Sequence, residues 1–391
     1  MLKEWQAKEL GRVATLQRGF DLPTRLRNPG AVPIVSSAGT TDTHSSAKVQ
    51  PPGVVTGRYG TIGELFFLEE AFWPLNTTLY VRDFHGNDPK FIFYLLHRFD
   101  FKSFSGKSGV PGVNRNELHR ELVRIPSEPA EQRAIAGVLS DVDGLIGALD
   151  RLIAKKRDLK QAAMQQLLTG RTRLPGFKGK WKLTRLGEDV SYLSHATHAR
   201  AVLLTEGSVR YLHYGDVHAA PSIWLDPRTT PMPFVPERLA ARFDRLKSGD
   251  LVFVDASEDL TGIGKSVELR GVEGMEIIAG LHTITARFDR SILADGFKGY
   301  LQFMPSFKSQ LQRLAAGTKV YASNKSHVSS VEIELPGVDE QAAIAEALND
   351  MAAEIAALET RREKTRLLKT GMMQELLTGR TRLVKAEPVP C

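Results

Sequence analysis

The sequence predicts an α+β protein with a pseudo-twofold internal duplication: two mixed α/β domains separated by two long antiparallel coiled-coil helices. Three observations carry this. The segment "LLTGRTRL" occurs twice, starting at Leu167 and at Leu376, an offset of 209 residues. Each copy closes a proline-free stretch with helical spacing, and the same offset pairs Glu131-Gln132 with Glu340-Gln341, Ile135 with Ile344 and Leu139 with Leu348. Before each helix lies a glycine-broken region of short apolar runs, the mark of strands joined by tight turns.

A chain of 391 residues is too long for one ordinary core and suits two or three domains. Its 42% hydrophobic and 25% charged residues match a soluble globular protein. The single cysteine is Cys391, so no disulfide closes within the chain and a reducing cytoplasm is the expected location. "MLKEWQAKEL" lacks the apolar run of a signal peptide, and no stretch of about eighteen apolar residues could span a bilayer. A net charge of +7 permits a polyanionic partner without demanding one.

In chain order, the first domain occupies 1–129 and opens on Trp5-x4-Leu10-Gly11. "GVVTGRYGTIGELFFLEE" reads as strands, and "DPKFIFYLLHRFDF" has helical spacing. A long helix follows over 130–174, with Ile135, Val138, Leu139, Val142, Leu145, Ile146, Leu149, Leu152 and Ile153 forming one continuous stripe and Gly170 placed as its C-terminal cap. The second domain, 175–338, opens on Trp181-x4-Leu186-Gly187 and repeats the order of strands, then helix. A second long helix over 339–383 carries Ile344, Leu348, Met351, Ile355 and Leu358 and stops at Gly379; residues 384–391 read as a disordered tail.

Trp5 to Glu131 spans 126 positions and Trp181 to Glu340 spans 159, so the domains tolerate insertions while the helices keep their length. At 1.5 Å per residue each helix is about 60 Å long and needs a surface to lie on. Its twin is the economical partner; two separate amphipathic helices, each on its own domain, is the other reading. Gly137, Gly144, Gly147 and Gly371 weaken the helices by about 1 kcal/mol each, and close helix contact is the expected reason for small residues there.

Catalytic patterns are missing. "TGIGKS" at Thr261 has Asp259 where a phosphate loop needs its first glycine, and a strand-like "VELR" follows it. The ten histidines never pair with Cys or Glu at metal-ligand spacing, and no nucleophile-base-orienter set emerges. The chain reads as a non-enzyme.

The tryptophan-leucine-glycine openings, "GRYGTIGE" with "FWPLNTTLYV", "GIGK" with "AGLHTITARF", the Glu-Gln helix starts and both Leu-Leu-Thr-Gly-Arg ends cover nearly the whole chain. On these motifs the sequence resembles the specificity subunits of type I restriction-modification systems. The resemblance implies two target recognition domains, each reading half of a split site in double-stranded DNA, and helices that act as a ruler. It implies a scaffold for two methylation subunits and two restriction/motor subunits, with no membrane partner. The chain would hold no cofactor of its own; S-adenosylmethionine, ATP and Mg²⁺ would belong to those partners.

Candidate DNA contacts in the first domain are Arg18, Arg58, Tyr59, Thr61, Asn76, Lys107 and Ser108. Arg58 and Tyr59 sit in a glycine-bounded turn that lets backbone approach a groove, although the same glycines would serve a plain hairpin. In the second domain the candidates are His213, Tyr214, Ser257, Lys265, Lys319, Tyr321 and Lys325, with Tyr214 and Tyr321 equally readable as core aromatics. The repeated motif supplies the expected partner-binding residues Leu167, Leu168 and Arg171, and Leu376, Leu377 and Arg380, while Arg173 and Arg382 would bind a partner or cap helix ends. A coiled-coil assembly scaffold without DNA binding is the alternative function.

Overall fold

The computed structural model describes residues 5–105, 112–257, 259–260, 262–315 and 321–383; the tail expected at 384–391 lies outside them. Contacts divide the chain into two units, one of residues 1–152 with 358–391 and the other of 153–357. Each unit therefore combines a globular part with a part of each long helix.

In the first unit the strands are β1 Trp5–Glu9, β2 Thr15–Arg18, β3 Val32–Ser36, β4 Gly39–His44, β5 Gly53–Gly57, β6 Leu65–Leu68, β7 Trp73–Pro74, β8 Thr78–Asp83 and β9 Leu122–Pro126. Its short helices are α1 Pro89–Leu96 and α2 Arg115–Arg120, and α3 is the long helix Pro129–Leu167. One sheet has the order β2-β8-β5-β6, a second β4-β3-β7, and β1 pairs with β9. β5 is buried along its whole length, as its unbroken Val-Val-Thr run between two glycines requires of a central strand.

The second unit repeats this frame. Its strands are β10 Lys182–Arg185, β11 Val190–Tyr192, β12 Val209–Leu212, β13 Trp224–Leu225, β14 Phe234–Val235, β15 Leu251–Val254, β16 Ala256–Ser257, β17 Ser266–Leu269, β18 Glu276–Ala279, β19 Thr283–Phe288, β20 Tyr321–Ala322 and β21 Glu332–Leu335. Its helices are α4 Tyr214–Ala219, α5 Glu237–Ala240, α6 Pro305–Leu314, α7 Lys325–Ser329 and the long α8 Val338–Leu376. The order β11-β19-β15-β17 matches β2-β8-β5-β6, β14-β12-β18 matches β4-β3-β7, and β10-β21 matches β1-β9. Much of the extra length lies between β12 and β15, where residues 213–250 stand in place of 37–52 and supply α4, α5 and the added edge strand β13. Asn114 and Asn324 also correspond: each caps the following short helix, accepting from Asn116 N–H at 3.1 Å and His327 N–H at 2.9 Å.

The long helices are both 39 residues, and their starts and ends keep the 209-residue offset. Within the first unit Lys369 meets Asp143 at 2.6 Å and Arg362 meets Asp150 at 3.0 Å, so position falls along one helix as it rises along the other. Within the second unit Lys156 meets Glu354 at 2.7 Å. The pairing is antiparallel, as expected. The apolar stripe is not continuous: Ile135, Leu139, Leu149 and Ile153 are buried, but Leu145 and Leu152 are 41% and 39% exposed. Close helix contact does not explain Gly137, Gly144 or Gly371 either, since a Cβ there would meet nothing within 4 Å.

The repeated motif builds a latch in each unit. Leu376 and Leu377 are buried in the first unit's core with Ile125, Ile135 and Leu139. Leu167 and Leu168 are buried in the second unit's core with Ile333, Ile344 and Leu348. These four leucines therefore pack against their own chain, which corrects their assignment to a partner surface; Arg171 and Arg380 do remain exposed. Gly379 and Gly170 end the helices with φ of 74° and 66°, the left-handed caps expected of them. Each glycine faces the tryptophan that opens its unit: a Cβ would lie 2.8 Å from the Trp5 ring at Gly379 and 3.2 Å from the Trp181 ring at Gly170.

The second arginine of each motif then forks onto a buried carboxylate, Arg382 on Glu131 and Arg173 on Glu340. The neighbouring glutamines close the other side. Gln132 donates to Pro126 O at 3.0 Å and accepts from Asp88 N–H at 2.8 Å; Gln341 donates to Pro336 O at 3.0 Å and accepts from Ala294 N–H at 2.9 Å. The Glu-Gln pair is thus a joint between helix start and globular part, with every polar atom occupied as its burial demands.

Candidate functional site

Corresponding sheets place corresponding tips. In the first unit Gly57 of β5 pairs with Thr78 of β8; in the second Val254 of β15 pairs with Thr283 of β19. Arg58 and Thr77 therefore occupy the positions of Asp255 and His282.

At the first tip Arg58 N–H and Tyr59 N–H both donate to Thr77 O, at 2.8 and 3.1 Å. The turn depends on glycine, because a Cβ on Gly57 would lie 1.8 Å from Thr61 O, and Gly60 has φ of 73°. The Arg58 guanidinium rests 4.5 Å from the Tyr59 ring centroid, which holds a half-exposed cation in place without neutralising it. Thr61 is exposed beside them. Arg18 lies at the same end of the sheet, since it pairs with Leu79, but its guanidinium binds Asp21 at 3.1 Å and Asn76 donates to the same carboxylate. The structure thus brings Arg58, Tyr59 and Thr61 together and gives Arg18 and Asn76 a shared acceptor of their own. Lys107 and Ser108 lie outside the described residues.

At the second tip Asp255 N–H donates to His282 O at 3.3 Å and the Asp255 carboxylate lies 3.0 Å from His282 Nδ1. His282 is exposed and holds a left-handed φ of 59°, a strained conformation for a residue with a Cβ. Tyr214, which opens α4, brings its ring 4.3 Å from His213, 5.5 Å from His282 and 6.0 Å from His218. Lys265 donates to His218 O. Tyr214 is exposed, so its reading as a core aromatic does not hold, whereas Tyr321 packs partly against the unit's core. Ser257, paired with Tyr321, is buried and its hydroxyl accepts from Asp259 N–H, which leaves it supporting the loop. Lys325 lies 5.8 Å from the Tyr192 ring and donates to Leu193 O. Lys319 lies outside the described residues.

Sequence reasoning missed Asp255, His218 and His282 as members of this group. His282 lies in a turn just before β19, in register with Thr77, whereas Asp255 directly follows β15 and His218 lies within α4, and the three come together only once the strands are paired. Among the described residues no group of three or more His, Cys, Asp or Glu is placed to hold a metal ion, and no helix is long and apolar enough to cross a membrane.

Residues 2–155 match the family model described as type I restriction modification DNA specificity domain. The MjaVIII specificity subunit of Methanocaldococcus jannaschii, described as a type I restriction enzyme subunit, is 27% identical over 312 residues, covering 76% of this chain and 71% of its own. The crystal structure of the S subunit of a type I restriction-modification system from M. genitalium superposes with a TM-score of 0.61 at 14% identity, covering 95% of this chain and 96% of the other. A structure described as the basis of complex assembly and conformational transition of the type I system gives 0.58 at 17% identity, covering 96% and 98%. At these identities the two structures speak for the fold.

Proposed function

We propose that this chain is a specificity subunit of a type I restriction-modification system and that each unit reads one half of a bipartite site in double-stranded DNA. The observation that carries this reading is the pair of tips: one duplicated frame, one register, and unlike residues at equivalent places, Arg58 and Thr77 against Asp255 and His282. A non-palindromic split site demands two different reading surfaces, whereas a scaffold alone has no use for chemically distinct tips. Arg58 suits guanine O6 and N7, while Thr61 and the glycine-turn amides suit phosphates.

The long helices set the spacing between half-sites. Half-sites one turn apart are separated by about 34 Å, and a helical pair of fixed length can hold such a distance where a flexible linker cannot. The equal length of the two helices supports this role. Two methylation subunits and two restriction/motor subunits assemble on the chain, with Arg171 and Arg380 exposed at equivalent places for two copies of one partner. S-adenosylmethionine, ATP and Mg²⁺ serve those subunits, and this chain performs no chemistry itself.

The test is sequencing of methylated adenines in DNA from cells that express the chain with its cognate methylation subunit, with and without Arg58→Ala. A split motif that degenerates in one half is the expected result. An assembled complex that leaves no motif would move the assignment to a scaffold without DNA binding.

A further inference from the structure

We propose that the second unit reads its half-site through a neutral imidazole, His213 donating from Nε2 to an acceptor on a base edge, from a platform completed by Tyr214 and His282. This deepens the DNA-reading function above and rests on it.

The tautomer follows from the hydrogen bonds. His213 directly precedes α4, and its Nδ1 accepts the Gly215 N–H at 3.2 Å while the Asp216 carboxylate accepts the His213 N–H at 2.7 Å. A ring nitrogen that accepts from a backbone N–H carries no proton, so the single proton of the neutral ring is on Nε2. Protonating Nδ1 would break the cap. Burial, followed by the nearby Arg200 guanidinium and the His282 ring, also pushes the His213 pKa down, which keeps the ring neutral near pH 7. The ring is half-exposed, with Tyr211 behind it at 6.4 Å and Tyr214 at 4.3 Å.

Three features mark the surface as a reading element. It stands at the tip equivalent to the one that presents Arg58. It is built by the segment 213–250, the length by which this unit departs from the other: β3 continues through Ser37 into a hairpin, whereas β12 continues through His213 into α4. Finally, the tip stores strain, because His282 keeps a left-handed backbone where the equivalent Thr77 has no positive φ, and such conformations gather at functional sites. Asp255 beside His282 makes this tip poor at holding phosphate by charge alone, which favours hydrogen-bond reading of a base. A lone donor meets acceptors on guanine, adenine and thymine in the major groove but meets the N4 amino group of cytosine, so cytosine is the base it excludes.

The experiment uses the whole complex. His213→Ser keeps a capping oxygen for Gly215 and removes the Nε2 donor; His282→Gly suits the left-handed backbone and removes the second imidazole. Methylated adenines are sequenced for the wild type, both variants and Arg58→Ala. The expected result is that His213→Ser admits cytosine at a position that excluded it, in the half that Arg58→Ala leaves strict, and that His282→Gly broadens the same half. An unchanged motif in both variants, or loss of strictness in the Arg58 half, overturns the assignment while DNA reading stands. No motif from the assembled wild-type complex overturns DNA reading and this inference together.

Discussion

At the first latch the Trp5 indole N–H donates to Glu131 at 3.3 Å, whereas the Trp181 N–H of the second has no hydrogen-bond partner among the described residues. The two latches share the left-handed glycine against the indole, the arginine fork on a buried glutamate, and the glutamine joint. At the second latch Arg173 also donates from Nη1 to Gly179 O at 2.7 Å, with the guanidinium 5.8 Å from the Trp181 ring. Two copies of one device thus separate what the joint requires, ion pair and glycine contact, from what it merely uses, the indole donor.

The comparison can be broken most forcefully at the arginines. Glu131 and Glu340 are 1% and 3% exposed, so removing either partner strands a buried carboxylate at a cost of about 3–5 kcal/mol. Arg173→Ala is expected to destabilise more than Arg382→Ala, because Glu131 keeps the Trp5 donor and the Glu340 side chain keeps none among the described residues; urea unfolding of the full chain measures the difference.

A second asymmetry lies in strand β17. Glu268 of β17 occupies the place of Phe67 in β6, accepts from Gly296 N–H at 2.7 Å and Gly299 N–H at 3.1 Å, and is pushed by burial up to about 7. Its folded pKa exceeds the unfolded 4.5, so between these values the folded state binds more protons and stability falls as pH rises, by up to about 3 kcal/mol. Glu268→Gln should flatten that window in pH-dependent unfolding, and unchanged curves would refute it.

Gly379→Ala should cost about 2 kcal/mol, from left-handed strain and from its 2.8 Å contact with Trp5. Gly170→Ala, with its looser 3.2 Å contact, should cost less, and thermal unfolding ranks the two. Trp5→Phe removes an N–H that donates to Glu131, whereas Trp181→Phe removes one with no partner among the described residues, so Trp5→Phe should be the worse by about 1 kcal/mol in the same thermal unfolding. Smallest and opposite in sign, Gly144→Ala should stabilise the isolated chain by up to about 1 kcal/mol, since a Cβ there meets nothing.

The helix starts, the glycine caps and the duplicated frame were legible because each depends on local spacing or on an offset that survives in the chain, whereas the helices expected over 130–174 and 339–383 stop at Leu167 and Leu376, before the glycine caps. The latch was half legible. Glu131 and Arg173 lie close in sequence, yet Glu131 pairs with Arg382, and spacing holds nothing that selects the distant partner over the near one. Nor does amphipathicity state what a leucine faces: Leu168 and Leu377 are core, while Leu145 and Leu152 of the same pattern are exposed. Tyr214 and His282 were unreadable as neighbours because they meet only after β12 and β18 pair in parallel from distant segments.

The division of the chain also sets an order of manufacture. Residues 153–357 are contiguous, so a ribosome finishes every part of that unit while the other, begun first, still lacks 358–383. Strand β1, the earliest made, waits through most of translation for Gly379 and Arg382 to reach Trp5 and Glu131. Premature termination after residue 357 and before Gly379 would therefore release a molecule whose later-made half is whole and whose earlier-made half is open.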